Sequence, residues 1–277
     1  MSGRQRGFAL LIVLWTVGFL ALLGTQIVAA GRSETQLADN LKQEAVLQAA
    51  ADGAVAAVTF QIFAAKDPRF RADGVAREIH VGRTPVLVRV ENESDRVNLN
   101  TASDVLLRAL VQEVGGAPAL AIRLSAAILD WRISAASSRP NGAKAADYRA
   151  AGRAYGPPGT PFQSVSELAD VLGMTPELYA RLAPHLTVLT DSDPDLSTRD
   201  PVVARALTDV AGATEDAGAV QETAEPLLRI NVTAIGAGAA RYSLLVVAAG
   251  AFQNASPRVN ILLRQHGEAL TVLKGNE

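Results

Sequence analysis

Residues 8–30 read FALLIVLWTVGFLALLGTQIVAA and contain no charged side chain. As a helix rising ~1.5 Å per residue, this run spans roughly 35 Å, against about 30 Å of bilayer hydrocarbon. Arg4 and Arg6 precede the run, and basic residues favour the cytoplasmic side of a membrane. The sequence therefore predicts one membrane-spanning helix, with the following residues on the opposite side of the membrane.

An amphipathic pattern continues the helix beyond the apolar run. Seven residues recur at spacings of three, four or seven, and only one of them is polar: Leu37, Leu41, Ala45, Gln48, Val55, Val58 and Ile62. The pair Asp67-Pro68 ends the pattern, because proline disfavours helical geometry in the residue before it. We expect one helix from Phe8 to Ala65, on the order of 85 Å long.

Three interpretations of the N-terminus remain open. Val28-Ala29-Ala30 resembles the small-residue site at which a secretory signal peptide is cut, although the apolar run is longer than such peptides need. A plain signal anchor is the second interpretation. The third is a short basic leader that ends at Gly7, is removed on the cytoplasmic side and leaves the apolar helix in the mature protein.

Composition excludes several classes of function. The 277-residue chain has a net charge of −2 and no cysteine, so disulfides, thiolate metal sites and cysteine nucleophiles are excluded. The three histidines, His80, His185 and His266, have no catalytic motif around them, and neither a phosphate-binding loop nor a nucleophile elbow is present. We therefore predict that the protein is not an enzyme.

The region after the anchor alternates between strand and helix signals. We predict strands within residues 75–95, a helical domain at 96–208, a linker at 209–226 and further strands at 227–277. Within the helical domain, Ser103 or Thr101 and Thr175 are candidate N-caps, Gly115-Gly116 is a turn, and the stretch to Thr190 is expected to close the domain as helix. Strands on both sides of a helical block predict an α+β fold: a long N-terminal helix, a small antiparallel sheet and a large inserted all-α domain.

A series of short motifs resembles the K protein family of the bacterial type II secretion system. In order along the chain they are Asn98-Leu99-Asn100-Thr101, Asp130-Trp131, Gly142-Ala143 with Tyr148, Tyr155, the segment from Pro161-Phe162 to Glu167-Leu168, and Pro184-His185-Leu186-Thr187-Val188. With the anchor, the resemblance covers roughly Met1 to Leu207. It implies a pilin-like fold and the function of a minor pseudopilin, the tip subunit of the periplasmic pseudopilus, which supports protein export across the outer membrane.

The same resemblance implies how the N-terminus is processed. Gly7–Phe8 resembles a prepilin-peptidase site, so residues 1–7 would be the leader and Phe8 would be N-methylated. The fifth mature position is then Ile12, where most pilin-like subunits have glutamate and the K subunit typically does not. A carboxylate there costs roughly 2.5–3.5 kcal/mol on insertion scales unless a preceding subunit pairs with it.

The resemblance also implies partners and a location. The partners are the minor pseudopilins I and J, the major pseudopilin, the prepilin peptidase, the inner-membrane secretion platform and membrane lipid, with no nucleic acid. The location is the bacterial inner membrane, crossed once, with the N-terminus cytoplasmic and the bulk of the chain periplasmic. Two alternatives are a helix-hairpin-helix protein of DNA binding or uptake, suggested by the turn at Gly115-Gly116, and a minor pilin of a type IV pilus.

Metal binding is the point at which the sequence departs from the family pattern. K proteins are associated with calcium, but Arg132-Ile133-Ser134-Ala135 stand where the family has further acidic residues. The acidic run Asp191, Asp193 and Asp195 lacks the downstream glutamate of an EF-hand-like loop and is expected to be a solvated loop. No cofactor is predicted, and no calcium ligands are identified.

Overall fold

A computed structural model describes residues 4–65, 67–135, 137–213, 227–253, 256–267 and 269–270. The helices are α1 (Arg4–Phe63), α2 (Asp104–Glu113), α3 (Pro118–Arg132), α4 (Ala145–Ala150), α5 (Pro176–Leu182) and α6 (Pro201–Ala213). The strands are β1 (Arg77–Val81), β2 (Thr84–Asn92), β3 (Val97–Asn98), β4 (Leu186–Thr187), β5 (Leu227–Ile235), β6 (Arg241–Gln253) and β7 (Ser256–His266). Four short 3-10 helices complete these elements: Pro68–Phe70, Glu93–Asp95, Val165–Asp170 and Ala183–His185.

The helix α1 is continuous over 60 residues, which corresponds to about 90 Å. It ends at Phe63, two residues before the predicted end, and Asp67 then caps a short 3-10 helix that begins at Pro68. The prediction of one unbroken helix that joins the apolar run to the amphipathic run is therefore confirmed.

Only the second half of the predicted apolar face of α1 is buried by the described part of the chain. Leu37 and Leu41 are exposed, whereas the buried face consists of Leu47, Ala50, Ala51, Ala54, Val55, Val58 and Phe63. The reason is that the sheet covers only the C-terminal part of the helix. An apolar repeat in sequence marks a surface that needs a partner, but it does not say that the partner lies in the same chain.

In the described part of the chain, β1, β2, β5, β6 and β7 form an antiparallel sheet in the order β1-β2-β5-β6-β7. Alternate residues of its inner strands point towards α1: Val86, Val88, Val90, Leu228, Ile230, Val232, Ala234, Leu244, Val246 and Ala248. Gly250 of β6 has no side chain, and the Phe63 ring fills the space that a Cβ would need. The predicted antiparallel sheet packed on the early helix is confirmed.

The helical domain has its own core, separate from that of the sheet. It is built from α2, α3, α5, α6 and the connecting segments, with Leu107, Leu110, Leu124, Ile128 and Tyr148 among its fully buried side chains. Ser103 caps α2 through the Leu106 N–H, and Thr175 caps α5 through the Leu178 N–H, both at 3.2 Å. These two predicted helix starts are confirmed.

Two predicted boundaries are corrected by the structure. The stretch to Thr190, expected as helix, contains β4, which pairs in parallel with β3 and closes the helical domain at its base. The helix α6 continues to Ala213, so the linker predicted from Asp209 starts inside a helix, because Val203 and Ala206 anchor α6 in the helical core. The rest of that predicted linker, and residues 254 and 255 of the predicted turn before β7, lie outside the described residues.

Candidate functional site

The first part of α1 exposes a dense apolar surface. Between residues 11 and 23 the exposed large side chains are Leu11, Ile12, Val13, Leu14, Trp15, Val17, Phe19, Leu20, Leu22 and Leu23. The Trp15 and Phe19 rings stack with their centroids 5.7 Å apart. Leaving one such side chain in water rather than burying it costs about 1.5–3 kcal/mol, so this surface requires lipid or another apolar helix around it.

Two apolar stretches of α1 must be distinguished. By length and composition Gln36–Phe63 is the described segment able to cross a membrane, and Leu11–Leu23 is a shorter apolar stretch. However, Gln36–Phe63 buries Leu47, Ala51 and Val58 against the sheet. It is the core helix of the folded domain, and the exposed stretch Leu11–Leu23 belongs to the predicted span at residues 8–30.

The predicted processing residues lie at the start of the same helix. Gly7 and Phe8 fall in the first turns of α1, which has helical backbone from Arg4 onward. Ile12 follows one turn after Phe8, and 48% of its surface is exposed. An uncharged side chain therefore faces outward at the fifth position after Gly7. Cleavage after Gly7 and methylation of Phe8 stay predictions.

A cleft, missed by the sequence reasoning, lies between the anchor and the sheet. Its volume is about 610 Å³, and it is lined by the middle of α1, the β1–β2 turn and the β5–β6 turn. Leu47, Pro85 and Ile235 give it apolar walls, and its charged lining residues are Asp39, Lys42 and Arg83. Leu37 and Leu41, on the neighbouring part of α1, are exposed among the residues that the structure describes.

A buried ionic cluster joins the helical domain to the sheet. The Glu93 carboxylate is fully buried and accepts hydrogen bonds from Arg229 of β5 at 2.5 and 2.7 Å and from the Thr187 hydroxyl of β4 at 2.7 Å. Arg96 lies 3.5 Å from the same carboxylate and donates to the Pro184 carbonyl. Burial acts to raise the pKa of Glu93, but Arg229, Arg96 and the Thr187 hydroxyl together outweigh it and hold the pKa below its ordinary value of 4.5.

Two further hydrogen bonds fix the helical domain against the rest of the chain. The Thr198 hydroxyl donates to the Asp95 carbonyl at 2.9 Å, and the Arg199 guanidinium donates to the Ala72 carbonyl at 2.8 Å. With the Glu93 cluster, these contacts set the orientation of the helical domain on the sheet. These contacts hold the helical domain in a fixed position relative to the sheet and to α1.

The helix-hairpin-helix resemblance is confirmed in shape but not in chemistry. The helices α2 and α3 pack on each other around Gly115-Gly116, yet the two glycine amides are already used. The Gly115 N–H donates to the Gln112 carbonyl at 2.9 Å, and the Gly116 N–H donates to the Val111 carbonyl at 2.8 Å. A phosphate-binding hairpin needs such amides free and positive charge around them. This turn therefore lacks the free amides that DNA backbone recognition would use.

The histidines do not form a catalytic group in the described residues. His80 lies 3.8 Å from Glu78 on the exposed strand β1, and His266 packs its ring edge-on against Tyr242. His185 pairs with Asp200 at 2.5 Å, and Asp200 also caps α6 through the Val202 and Val203 amides. Each histidine thus has a separate structural neighbourhood.

The calcium that the family resemblance implies does not fit the side chains present. In the part of the chain that the structure describes, no group of three or more His, Asp or Glu side chains could hold a metal ion. Asp193, expected in a solvated loop, instead accepts a hydrogen bond from the Thr101 hydroxyl at 3.2 Å, and burial raises the pKa of its carboxyl. Asp191 is exposed, and Asp195 accepts hydrogen bonds from Ser197, so the three carboxylates serve different partners.

Comparison with known proteins gives the same assignment for the helical domain and for the fold. Residues 87–191 match the family model described as type II secretion system protein K. Protein K of Klebsiella pneumoniae is 27% identical over 211 residues, and protein K of Pectobacterium carotovorum is 27% identical over 212 residues. The chain is similar to protein K of the type II secretion system. Both matches cover about two thirds of this chain, 69% and 68%, and the chain spans 65% and 64% of the length of these relatives.

A solved structure supports the architecture of the chain. A chain of the GspK-GspI-GspJ complex from the enterotoxigenic Escherichia coli type 2 secretion system superposes with a TM-score of 0.60 at 16% identity. The superposition covers 86% of this chain and 99% of the other. It shows a shared fold, so the pilin-like fold expected from the sequence is confirmed.

Proposed function

We propose that the chain is a minor pseudopilin of a type II secretion system, which supports protein export across the outer membrane. The observation that carries the proposal is the division of α1. Between Leu11 and Leu23 its first part exposes apolar side chains with Thr16 as the one polar residue, and its second part is the core helix of a sheet. This division suits a subunit that is held in the inner membrane and presents a folded domain to the periplasm.

Processing follows from the start of this helix. A prepilin peptidase would cut between Gly7 and Phe8, and the amine of Phe8 would be methylated. Removal of residues 1–7 takes away Arg4 and Arg6, which keep the N-terminus on the cytoplasmic side before cleavage. The apolar helix is retained, because the cut between Gly7 and Phe8 lies before it.

The tip of the pseudopilus is the position that we propose within the filament. Ile12 gives this subunit no carboxylate with which to pair the amine of a preceding subunit, so it suits the subunit that is added first. The minor pseudopilins I and J would be its direct neighbours, packed along the exposed part of α1 that includes Leu37 and Leu41. The major pseudopilin would follow below, and the inner-membrane platform would drive assembly.

Mass spectrometry of the N-terminus of the protein purified from membranes tests the proposal. We expect a mature chain that begins with methylated Phe8. A Gly7→Leu variant should accumulate at full length and fail to restore secretion in a strain that lacks the gene, whereas Gly3→Leu, in the same leader, should be processed and restore it. A chain that begins at Gly31, or normal processing of Gly7→Leu, would contradict the proposal.

A further inference from the structure

Two cationic side chains bind backbone carbonyls near the C-terminal end of α3: Arg132 is its last residue, and Lys144 directly precedes α4. The Arg132 guanidinium donates to the Leu99 carbonyl and, at 2.7 Å, to the Ala102 carbonyl. The Lys144 ammonium donates to the carbonyls of Asp130 and Ile133 at 2.7 and 2.6 Å. Both cations are partly buried, so these bonds are shielded from water. Positive charge therefore stands on two sides of the same helix end.

The carbonyls that Arg132 binds belong to a tight turn at the base of the helical domain. The Asn98 side chain shapes this turn by accepting from the Asn100 N–H at 2.7 Å, and the Asn98 carbonyl accepts from the Ala102 N–H at 2.9 Å. The Thr101 hydroxyl of the same turn donates to Asp193. Burial lowers the pKa of Arg132 and raises the pKa of Asp193, and the attraction between the two opposite charges across the turn opposes both shifts.

This set of oxygen atoms is of the kind that a calcium ion uses. Calcium takes roughly six to eight oxygen ligands, among them backbone carbonyls and carboxylates. Here two carbonyls and a nearby carboxylate are present, but a guanidinium occupies the place of the cation. A divalent ion at the Leu99 and Ala102 carbonyls would meet a fixed positive charge within contact distance, which excludes joint occupation.

We propose that the Arg132 guanidinium is a built-in cation that replaces a divalent metal in holding the turn from Asn98 to Ala102 against α3 and Asp193. The helical domain of this chain then folds without calcium, although its family resemblance implies a calcium protein. Arginine suits the task because its rigid fork donates to two acceptors at once and keeps its charge when partly buried. The Lys144 ammonium does the same for the last carbonyls of α3.

Thermal unfolding of the full-length protein in detergent micelles, followed by Trp131 fluorescence, tests the proposal. Trp131 is buried in the helical core, and the other tryptophan, Trp15, is exposed on the anchor. Bound calcium would raise the unfolding midpoint by mass action and its removal by EGTA would lower it. We expect the same midpoint for the wild type in EGTA and in millimolar calcium chloride.

Two variants on α3 supply the second measurement. Arg132→Met should lower the midpoint by about 5 °C or more, because it removes two charge-assisted hydrogen bonds from buried carbonyls. Arg123→Met, on the exposed side of the same helix, should leave it unchanged. The proposal is overturned if calcium raises the wild-type midpoint, or if Arg132→Met unfolds at the same temperature as Arg123→Met. If Arg132→Met does not fold, the calcium response of the wild type decides the matter alone.

Discussion

Replacing Glu93 by glutamine tests whether the ionic cluster joins the two parts of the molecule. The substitution keeps the shape of the side chain and removes its charge. Arg229, whose side chain is 18% exposed, would then lose its bidentate counter-ion, and the Thr187 hydroxyl would face an amide in place of a carboxylate. The perturbation therefore leaves a mostly buried guanidinium without its main partner.

The cost follows from the burial of the pair. Removing one member of a buried ion pair costs about 3–5 kcal/mol, whereas a surface pair is worth about 0–1 kcal/mol. Glu91 also attracts Arg229, which favours the lower end of that range, about 3 kcal/mol. For a domain of this size we expect the unfolding midpoint to fall by about 6–12 °C.

Circular dichroism of the full-length protein in detergent measures the change, with Glu113→Gln as the matched control. Glu113 accepts from Arg205 at 2.6 Å, but Arg205 is largely exposed, so its loss should move the midpoint little. Acidification gives an independent measurement. The lowered pKa means that Glu93 contributes its full stability above about pH 4.5 and loses it as the pH falls through the lower folded value. Glu93→Gln should lack this component, and equal midpoints for the two variants would refute the reasoning.

Two other substitutions have definite expected outcomes. Gly250→Ala should destabilise the sheet by about 1–3 kcal/mol in denaturant unfolding, because its Cβ would overlap the Phe63 ring. Gly212→Ala, where nothing lies within 4 Å in a helix, should stabilise by about 0.5–1 kcal/mol, and a loss of stability there would contradict the helical assignment. Ile12→Glu should still support secretion, because the first subunit has no predecessor whose amine the carboxylate would pair; loss of secretion at normal membrane levels would argue against the tip position.

The sequence predicted the elements of the fold well because each carries a local signal. The uncharged run at residues 8–30, the caps Ser103 and Thr175, and the alternating apolar residues of β2 and β5 act over a few neighbours in the chain. The pair β3–β4 was missed, because two residues per strand give no pattern and their pairing joins positions 97 and 186. Periodicity predicted an apolar face that includes the exposed Leu37 and Leu41, but it does not indicate what covers that face.

The contacts that hold the helical domain on the sheet could not be predicted from the sequence. Glu93, Thr187 and Arg229 are separated by 94 and 42 positions, and each alone is an ordinary polar residue in a loop or strand. The sequence indicated only that Arg132 is a basic residue at a position where the protein K pattern has acidic ones, and it did not predict the role of this side chain. Its carbonyl partners at Leu99 and Ala102 became evident once the turn had been placed beside the end of α3.

The strand register makes the helical domain a module. Asn92 at the end of β2 and Leu228 at the start of β5 are directly paired across the sheet, so the chain leaves and re-enters between adjacent strands. Whatever lies between them needs only to bring its two ends together, at an entropic cost that grows slowly with length. A short hairpin in place of residues 93–227 would connect β2 and β5 equally well. The size and chemistry of the inserted domain can therefore change without altering α1 or the sheet that is packed on it.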